Sequence, residues 1–396
     1  MTDELHVPGF LAGSVFCGIK TNGRNDLSLI FSKVPAAAAG VFTTNVFTAA
    51  PVVLSRERIR KGTAQAVIVN SGNANAATGD EGLRDALAVS KALSKRLNID
   101  EELVLAASTG VIGERLPLEK ILANIDNLAK AVSPYGIPSA EEGIMTTDAF
   151  PKMHAQKCRI GGKEITVCGI AKGAGMIEPG MATMLAFIMT DASIEQPCLE
   201  RVFRKAVDES FNAISVDGCM STNDMAIIMA NGVAGNDPLT PRSKSLPMFR
   251  EALGGVMDFL ARAIVRDGEG STKVISLVVE GARNMKEARR VAYAIARSNL
   301  VKTAFFGNDP NWGRIISAVG ASGVPVPADA TELFIDGIPL FRNGTGVPGV
   351  KERLAEVMKR ETVPVTVRLG MGKASFHLYT SDLSYDYVKI NAMYHT

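Results

Sequence analysis

Apolar residues recur along this chain in two rhythms. Short β-branched runs broken by Gly, Asn and Thr fill the first ~80 residues, and stretches with helical spacing follow. Ala64–Asn70 reads as a buried strand. Leu83, Ala86, Leu87, Leu93 and Leu97 then fall on one face of an amphipathic helix over Glu81–Leu97. Leu103–Ala107 predicts a short strand running into a turn at Ser108-Thr109-Gly110. Helices are expected over Pro117–Val132 and Glu141–Thr147, and a strand over Ile165–Ile170. The second half repeats this grammar, with strands at Met184–Met189, Ile214–Val216, Met225–Met229 and Lys273–Glu280. Ser193-Ile-Glu-Gln196 reads as a capping box before Leu199, Val202, Phe203 and Ala206. A long helix ends near Val265, and Ala288, Val291, Ala292 and Ile295 mark another. Val301–Phe306, Glu332–Ile335, Val363–Leu369 and Ala374–Tyr379 are read as closing strands, with a helix over Gly349–Lys359. Strands and helices mix without strict βαβ alternation, which predicts α/β layers with mixed or antiparallel sheets.

At 396 residues, 46% hydrophobic and 21% charged, the sequence has enough apolar material for a sizeable core. The 43 basic and 41 acidic residues form no long single-sign block, which argues against a nucleic-acid surface. The uncharged run Gly180–Thr190 is too short to span a bilayer, and the start of the chain shows no secretory signal. Five cysteines without a CxxC pair read as reduced thiols of a cytoplasmic protein, with Cys219 expected to be small and buried. The four histidines lack metal-ligand spacing, so no metal is expected.

The most informative segment is Lys172–Thr183. A glycine-rich, proline-bent approach delivers the hydroxyl of Thr183, after small Ala182, to the start of an apolar strand. A Thr so placed can attack the preceding carbonyl, shift the acyl group from N to O and cut the chain. The new terminus then owns a hydroxyl nucleophile and an α-amine of pKa about 8 that serves as its base. On spacing alone, a Thr before an apolar strand is also ordinary β-propensity.

Taken with Val69-Asn-Ser-Gly-Asn-Ala-Asn-Ala76, Ala107-Ser-Thr-Gly-Val-Ile-Gly113, Met145-Thr-Thr-Asp148 and Gly307-Asn-Asp-Pro-Asn-Trp-Gly-Arg314, this segment resembles the ornithine acetyltransferase family. These enzymes, also called glutamate N-acetyltransferases, belong to arginine biosynthesis, and the resemblance covers essentially the whole chain. It implies an αββα sandwich similar to that of self-processing aminopeptidases of the N-terminal-nucleophile type. It implies scission between Ala182 and Thr183 into an α chain 1–182 and a β chain 183–396, assembled two of each. Acetyl would pass from N-acetylornithine to glutamate through Thr183, with no cofactor, and some members also take acetyl from acetyl-CoA. Thr109 and Gly110 are carried over as the oxyanion hole. Thr147, Lys172, Thr183, Glu269, Asn391 and Thr396 are carried over as substrate-binding residues, with Thr146 as the alternative to Thr147. If Asn391 and Thr396 line the site, the C-terminal tail must fold back and dock. The rival readings are a self-processing aminopeptidase or amidohydrolase with water as acceptor, and a non-catalytic binding protein on the same fold.

Overall fold

The computed structural model describes residues 5–178 and 184–393. In chain order the first lobe comprises β1 (Phe10–Val15), β2 (Leu27–Phe42), α1 (Ala50–Arg58), β3 (Thr63–Asn73), α2 (Gly79–Leu97), β4 (Val104–Val111), α3 (Leu118–Ala131) and α4 (Ile137–Ile144). It continues through β5 (Met153–Ile160), β6 (Lys163–Lys172), β7 (Leu185–Thr190), α5 (Gln196–Glu209), β8 (Ile214–Ser215), β9 (Met225–Ala230) and α6 (Leu246–Arg266). The second lobe holds β10 (Val274–Ala282), α7 (Met285–Ala296), α8 (Asn299–Phe306), α9 (Trp312–Ala321), β11 (Glu332–Ile335), β12 (Ile338–Arg342), β13 (Thr345–Gly346), α10 (Lys351–Met358), β14 (Thr362–Arg368) and β15 (Ala374–Ser381). The described chain closes with α11 (Tyr385–Met393).

The first sheet runs β4-β3-β2-β9-β7-β6-β5, with β1 on β2. Alternation along its strands divides the core. Ala66 and Ile68 of β3 pack with Val89 and Leu93 of α2 and Ile121 and Ile125 of α3. Val67 and Val69 face the other way, toward Phe187 and Met189 of β7 and Ile227 and Met229 of β9. The opposite faces of those strands, through Ile188 and Ile228, meet Leu199 and Phe203 of α5 and Val256 and Leu260 of α6. The order is therefore helices, strands, strands, helices, and the expected αββα sandwich is present. Long β2 serves both strand layers. Its first part pairs with β1 and β3, its second with β9, and a register shift falls between Phe31 and Ala36. All residues of β7 and β9 are buried, as strands covered on both faces must be.

The second sheet runs β13-β12-β11-β14-β10-β15-β8. One face, through Leu277, Val365 and Leu378, buries Val291 of α7, Ile315 of α9 and Leu354 of α10. Among the described residues, no helix is long and apolar enough to cross a membrane.

Three expectations need correction. Val301–Phe306 is helix α8, because Ser298 caps it by accepting from Val301 N and because buried Val301, Ala304 and Phe305 follow helical spacing. Ser193 does not cap α5: Glu195 is the capping residue and makes no side-chain cap bond, while Ser193 N donates to Asn236 Oδ1 at 2.8 Å. The helix expected over Glu141–Thr147 lies earlier, as α4, and ends before Met145, whose backbone is extended.

Candidate active site

Strand ends from the two β layers meet the loop after α6 and the C-terminal helix at one cavity of about 100 Å³. Thr109, Gly110, Thr146, Thr147, Lys172, Glu269 and Asn391 all line it. Thr183 and Thr396, like Ala182, lie outside the described residues.

Ser108-Thr109-Gly110 is not a turn, as expected, but the last part of β4, registered in parallel with Asn70–Gly72 of β3. Gly110 has φ +136°, and a Cβ there would stand 2.3 Å from the carbonyl carbon of Gly72, so glycine is required. The Asn-rich motif at the end of β3 braces this strand end. Ser108 Oγ donates to Asn70 Oδ1 at 2.5 Å, and Asn70 Nδ2 donates to Asn73 O at 2.9 Å. Asn223, ahead of β9, donates to Ala74 O and Ser108 O at 2.6 and 2.8 Å.

Lys172 ends β6 and continues the inward-facing row of Cys168 and Ile170, so its side chain emerges where the interlayer core opens into the cavity. It is 3% exposed, and its Nζ donates to Thr146 Oγ1 at 2.8 Å and to Thr109 Oγ1 at 3.3 Å. Burial pushes its pKa below the ordinary lysine value, against the pull of Asp148, whose Oδ2 is 3.9 Å away. Thr146 thus touches Lys172 directly, while Thr147 also lines the cavity.

Sequence reasoning assigned no role to the charges behind this lysine. Asp148 Oδ1 accepts from Lys152 Nζ at 2.7 Å and from Gly173 N at 2.6 Å, and its Oδ2 accepts from Thr146 N at 2.9 Å. Burial would raise its pKa, but Lys172 and Lys152 outweigh it and hold the carboxyl well below the usual range. Lys152 also donates to Asp267 Oδ2 at 2.5 Å, tying the loop that carries Glu269 to the first lobe. Glu141 Oε1 accepts from Lys152 N at 2.8 Å, and burial pushes its pKa up to about 8.

Glu269 also lines the cavity. A Cβ on Gly175 would meet its carboxylate at 2.4 Å, so that glycine makes room for the charge. Asn391 Nδ2 donates to Glu269 Oε2 at 2.8 Å and to Tyr387 O at 3.0 Å. The tail does fold back: α11 sits over Gly270, whose carbonyl accepts from Ser384 Oγ. Asp224 is wholly buried beside the cavity wall. Its Oδ1 accepts from Met184 N at 3.1 Å, and burial drives its pKa well above the carboxylate norm.

Cys219 is exposed rather than buried, held in a turn where Asp217 Oδ1 accepts its N–H at 3.1 Å. Gly307–Arg314 lies in the second lobe, where Trp312 begins α9 and its ring lies tilted against that of Phe341, 5.5 Å between centroids. Among the described residues no cluster of His, Cys, Asp or Glu could hold a metal ion.

The cavity thus offers hydroxyls, a buried ammonium, a carboxylate and a strand end suited to receive an oxyanion. Residues 11–396 match the ArgJ family. The chain is 51% identical over 393 residues to a Geobacter sulfurreducens protein named arginine biosynthesis bifunctional protein ArgJ, covering 99% of this chain and all of that one. The Bacillus subtilis protein of the same name is 44% identical, covering all of this chain and 97% of its own length. A crystal structure of the Bacillus halodurans protein of that name superposes with TM-score 0.51 at 41% identity, covering 52% of this chain and 98% of the other.

Proposed function

The chain belongs to the ArgJ family, and from that premise we propose that it is a self-cleaving acetyltransferase of arginine biosynthesis, moving acetyl from N-acetylornithine to glutamate. The observation that carries this reading is the convergence of Thr109, Gly110, Lys172, Glu269 and Asn391, far apart in sequence, on one cavity. In this reading Thr183 Oγ attacks the acetyl carbon with its own α-amine as base, and the oxyanion forms against Thr109 and Gly110. The ammonium of Lys172, 3.3 Å from Thr109 Oγ1, favours negative charge at that point and faces the substrate carboxylate. Glu269 receives the side-chain amine of ornithine. The amide C–N bond breaks, the proton taken from Thr183 passes through the amine to ornithine, and acetyl-Thr183 remains. The amine of glutamate then attacks this ester and returns Thr183 to its starting state. The word bifunctional in the relatives' name fits acetyl-CoA as a second donor. The arginine-biosynthesis relatives favour this transferase over a self-processing aminopeptidase, for which water would be the acceptor.

Purified protein is expected to separate on a denaturing gel into a piece ending at Ala182 and a piece starting at Thr183. Thr183→Ala stays full-length and inactive. N-acetylornithine alone leaves acetyl on Thr183, visible by mass spectrometry, and double-reciprocal plots with glutamate run parallel. Edman sequencing that gives another start, or intersecting lines with no adduct, overturns the mechanism.

A further inference from the structure

A hydroxyl nucleophile works with a base, and the base in turn with a third group that orients it and faces the charge it acquires. Thr183 brings the first two. Asp224 has the properties of the third. It is wholly buried, and while its Oδ1 accepts from Met184 N at 3.1 Å, its Oδ2 has no hydrogen-bond partner among the described residues. A buried carboxyl oxygen left without a partner is costly, so such an atom points to a group that comes to meet it. Burial holds the acid neutral, well above the carboxylate norm, against the pull of Met184 N, the Ser221 hydroxyl, the Lys172 ammonium and the Thr43 hydroxyl. The carboxylates nearer the cavity are already engaged. Asp148 and Asp267 both accept from Lys152, Asp148 also stands beside Lys172, and Glu269 accepts from Asn391. Asp224 has no salt bridge among the described residues.

The backbone fixes where Asp224 sits. Met184 is clamped from both sides, its N–H given to Asp224 Oδ1 and its carbonyl accepting from Met225 N at 3.1 Å, just before β7 and β9 pair from Leu185↔Met225. Asn223, the preceding residue, donates to Ser108 O of the oxyanion strand. Adjacent side chains thus reach the oxyanion strand and the residue that follows the nucleophile. Thr183 lies outside the described residues, but its carbonyl carbon is bonded to Met184 N, and covalent geometry keeps its own nitrogen within about 4 Å of that atom. We propose that Asp224 is a positioning residue for the amine that the cut frees on Thr183, its unpartnered oxygen receiving that amine. The proposal rests on the acyl-transfer reading above. Once the pair has released its proton, the carboxylate holds the free amine toward Oγ. The Oγ–H bond then breaks as Oγ–C forms, the proton joins the amine, and the new ammonium faces a carboxylate. Without that carboxylate it would share a buried site with the ammonium of Lys172.

The test is Asp224→Asn in the full protein, which keeps an oxygen for Met184 N and removes only the charge. The variant is expected to cut at Thr183, because the amine that Asp224 serves does not exist before the cut. Its kcat/KM with N-acetylornithine should fall about tenfold or more at high pH. The acid limb of its pH profile should move down by about one unit or more, because loss of a neighbouring negative charge lowers the pKa of an amine. A variant that only loosened the start of β7 would lose activity with the limb in place, and that result overturns the proposal. So do wild-type kinetics in the cut variant, or a folded variant that fails to cut. Carbamylation of Thr183 by cyanate, followed against pH by mass spectrometry, reads the amine directly. In the wild type its pKa should equal or exceed the free value of about 8, despite burial and Lys172, and a lower value overturns the proposal even if the variant does not fold. A wild type that is not cut overturns the parent reading and this proposal together. One that is cut yet inactive with N-acetylornithine removes the parent reading alone, and the cyanate titration still decides the role of Asp224.

Discussion

Asp148 governs the charge of the site without lining it. Its carboxylate lies between Lys152 and Lys172, so the pair of buried ammonium groups is tolerated only while it is ionised. Lys172→Met leaves Asp148 paired with Lys152, so the fold should survive, while the substrate carboxylate and Thr109 lose a neighbouring cation. We expect kcat/KM to fall by one to two decades, from about 1.5–3 kcal/mol for a charge-assisted bond, with kcat falling as well as KM rising. Steady-state kinetics on fully cleaved protein check this, and unchanged constants would make Lys172 a structural residue. Glu141 carries the opposite expectation for pH. Burial raises its folded pKa to about 8, above an unfolded value of about 4.3, so its neutral form stabilises the fold. That contribution is complete below about pH 4.3 and is lost as pH climbs toward 8. Denaturant midpoints at pH 5 and pH 8 should therefore differ less for Glu141→Gln than for wild type. Parallel pH profiles would refute the assignment.

Among the elements, those with a full apolar stripe were legible in advance, and those without one were not. The helix at α2 and the strands at β3, β7 and β9 follow from periodicity because buried Val89 and Leu93, or the unbroken run Met225–Ala230, leave little choice. The short run Val301–Phe306 suits either state, and its helical form is decided by Ser298 and by packing. Edge strand β5 is half exposed, and α11 buries none of its side chains, so neither carries a periodic signal. The same limit applies to the site. Motifs pointed to Thr109, Lys172 and Glu269, but the bond from Lys152 to Asp267 joins positions that no local pattern connects. α11 owes its place to Gly270 and to Asn391 on Glu269. Removing the chain from Asn391 onward should abolish transfer and leave scission intact, because the cut uses groups at the junction. Gel and activity assays on one truncated protein read both. Full activity would show that the tail serves no substrate, and loss of scission together with solubility would show that it serves folding.

At the scale of the whole molecule, the proposed cut falls between strands that remain neighbours. β6 pairs with β7 from Val167↔Thr190 to Lys172↔Leu185, and β2 pairs with β9 from Ala37↔Ala230 to Phe42↔Met225. The piece beginning at Thr183 thus places β9 and β7 between strands of the other piece, and the first sheet is complete in neither piece alone. Cleaved molecules should hold together under native conditions. After denaturation, recovery becomes an encounter of two polymers rather than the collapse of one, and its yield should rise with protein concentration. Full-length Thr183→Ala should regain its native fluorescence at a rate independent of concentration. Concentration-independent recovery of the cleaved protein as well would mean that its two pieces never part on denaturation. If the proposed cut is made, the interleaving gives the enzyme a history: it is threaded once as a single strand, divided in place, and left with no unimolecular route back.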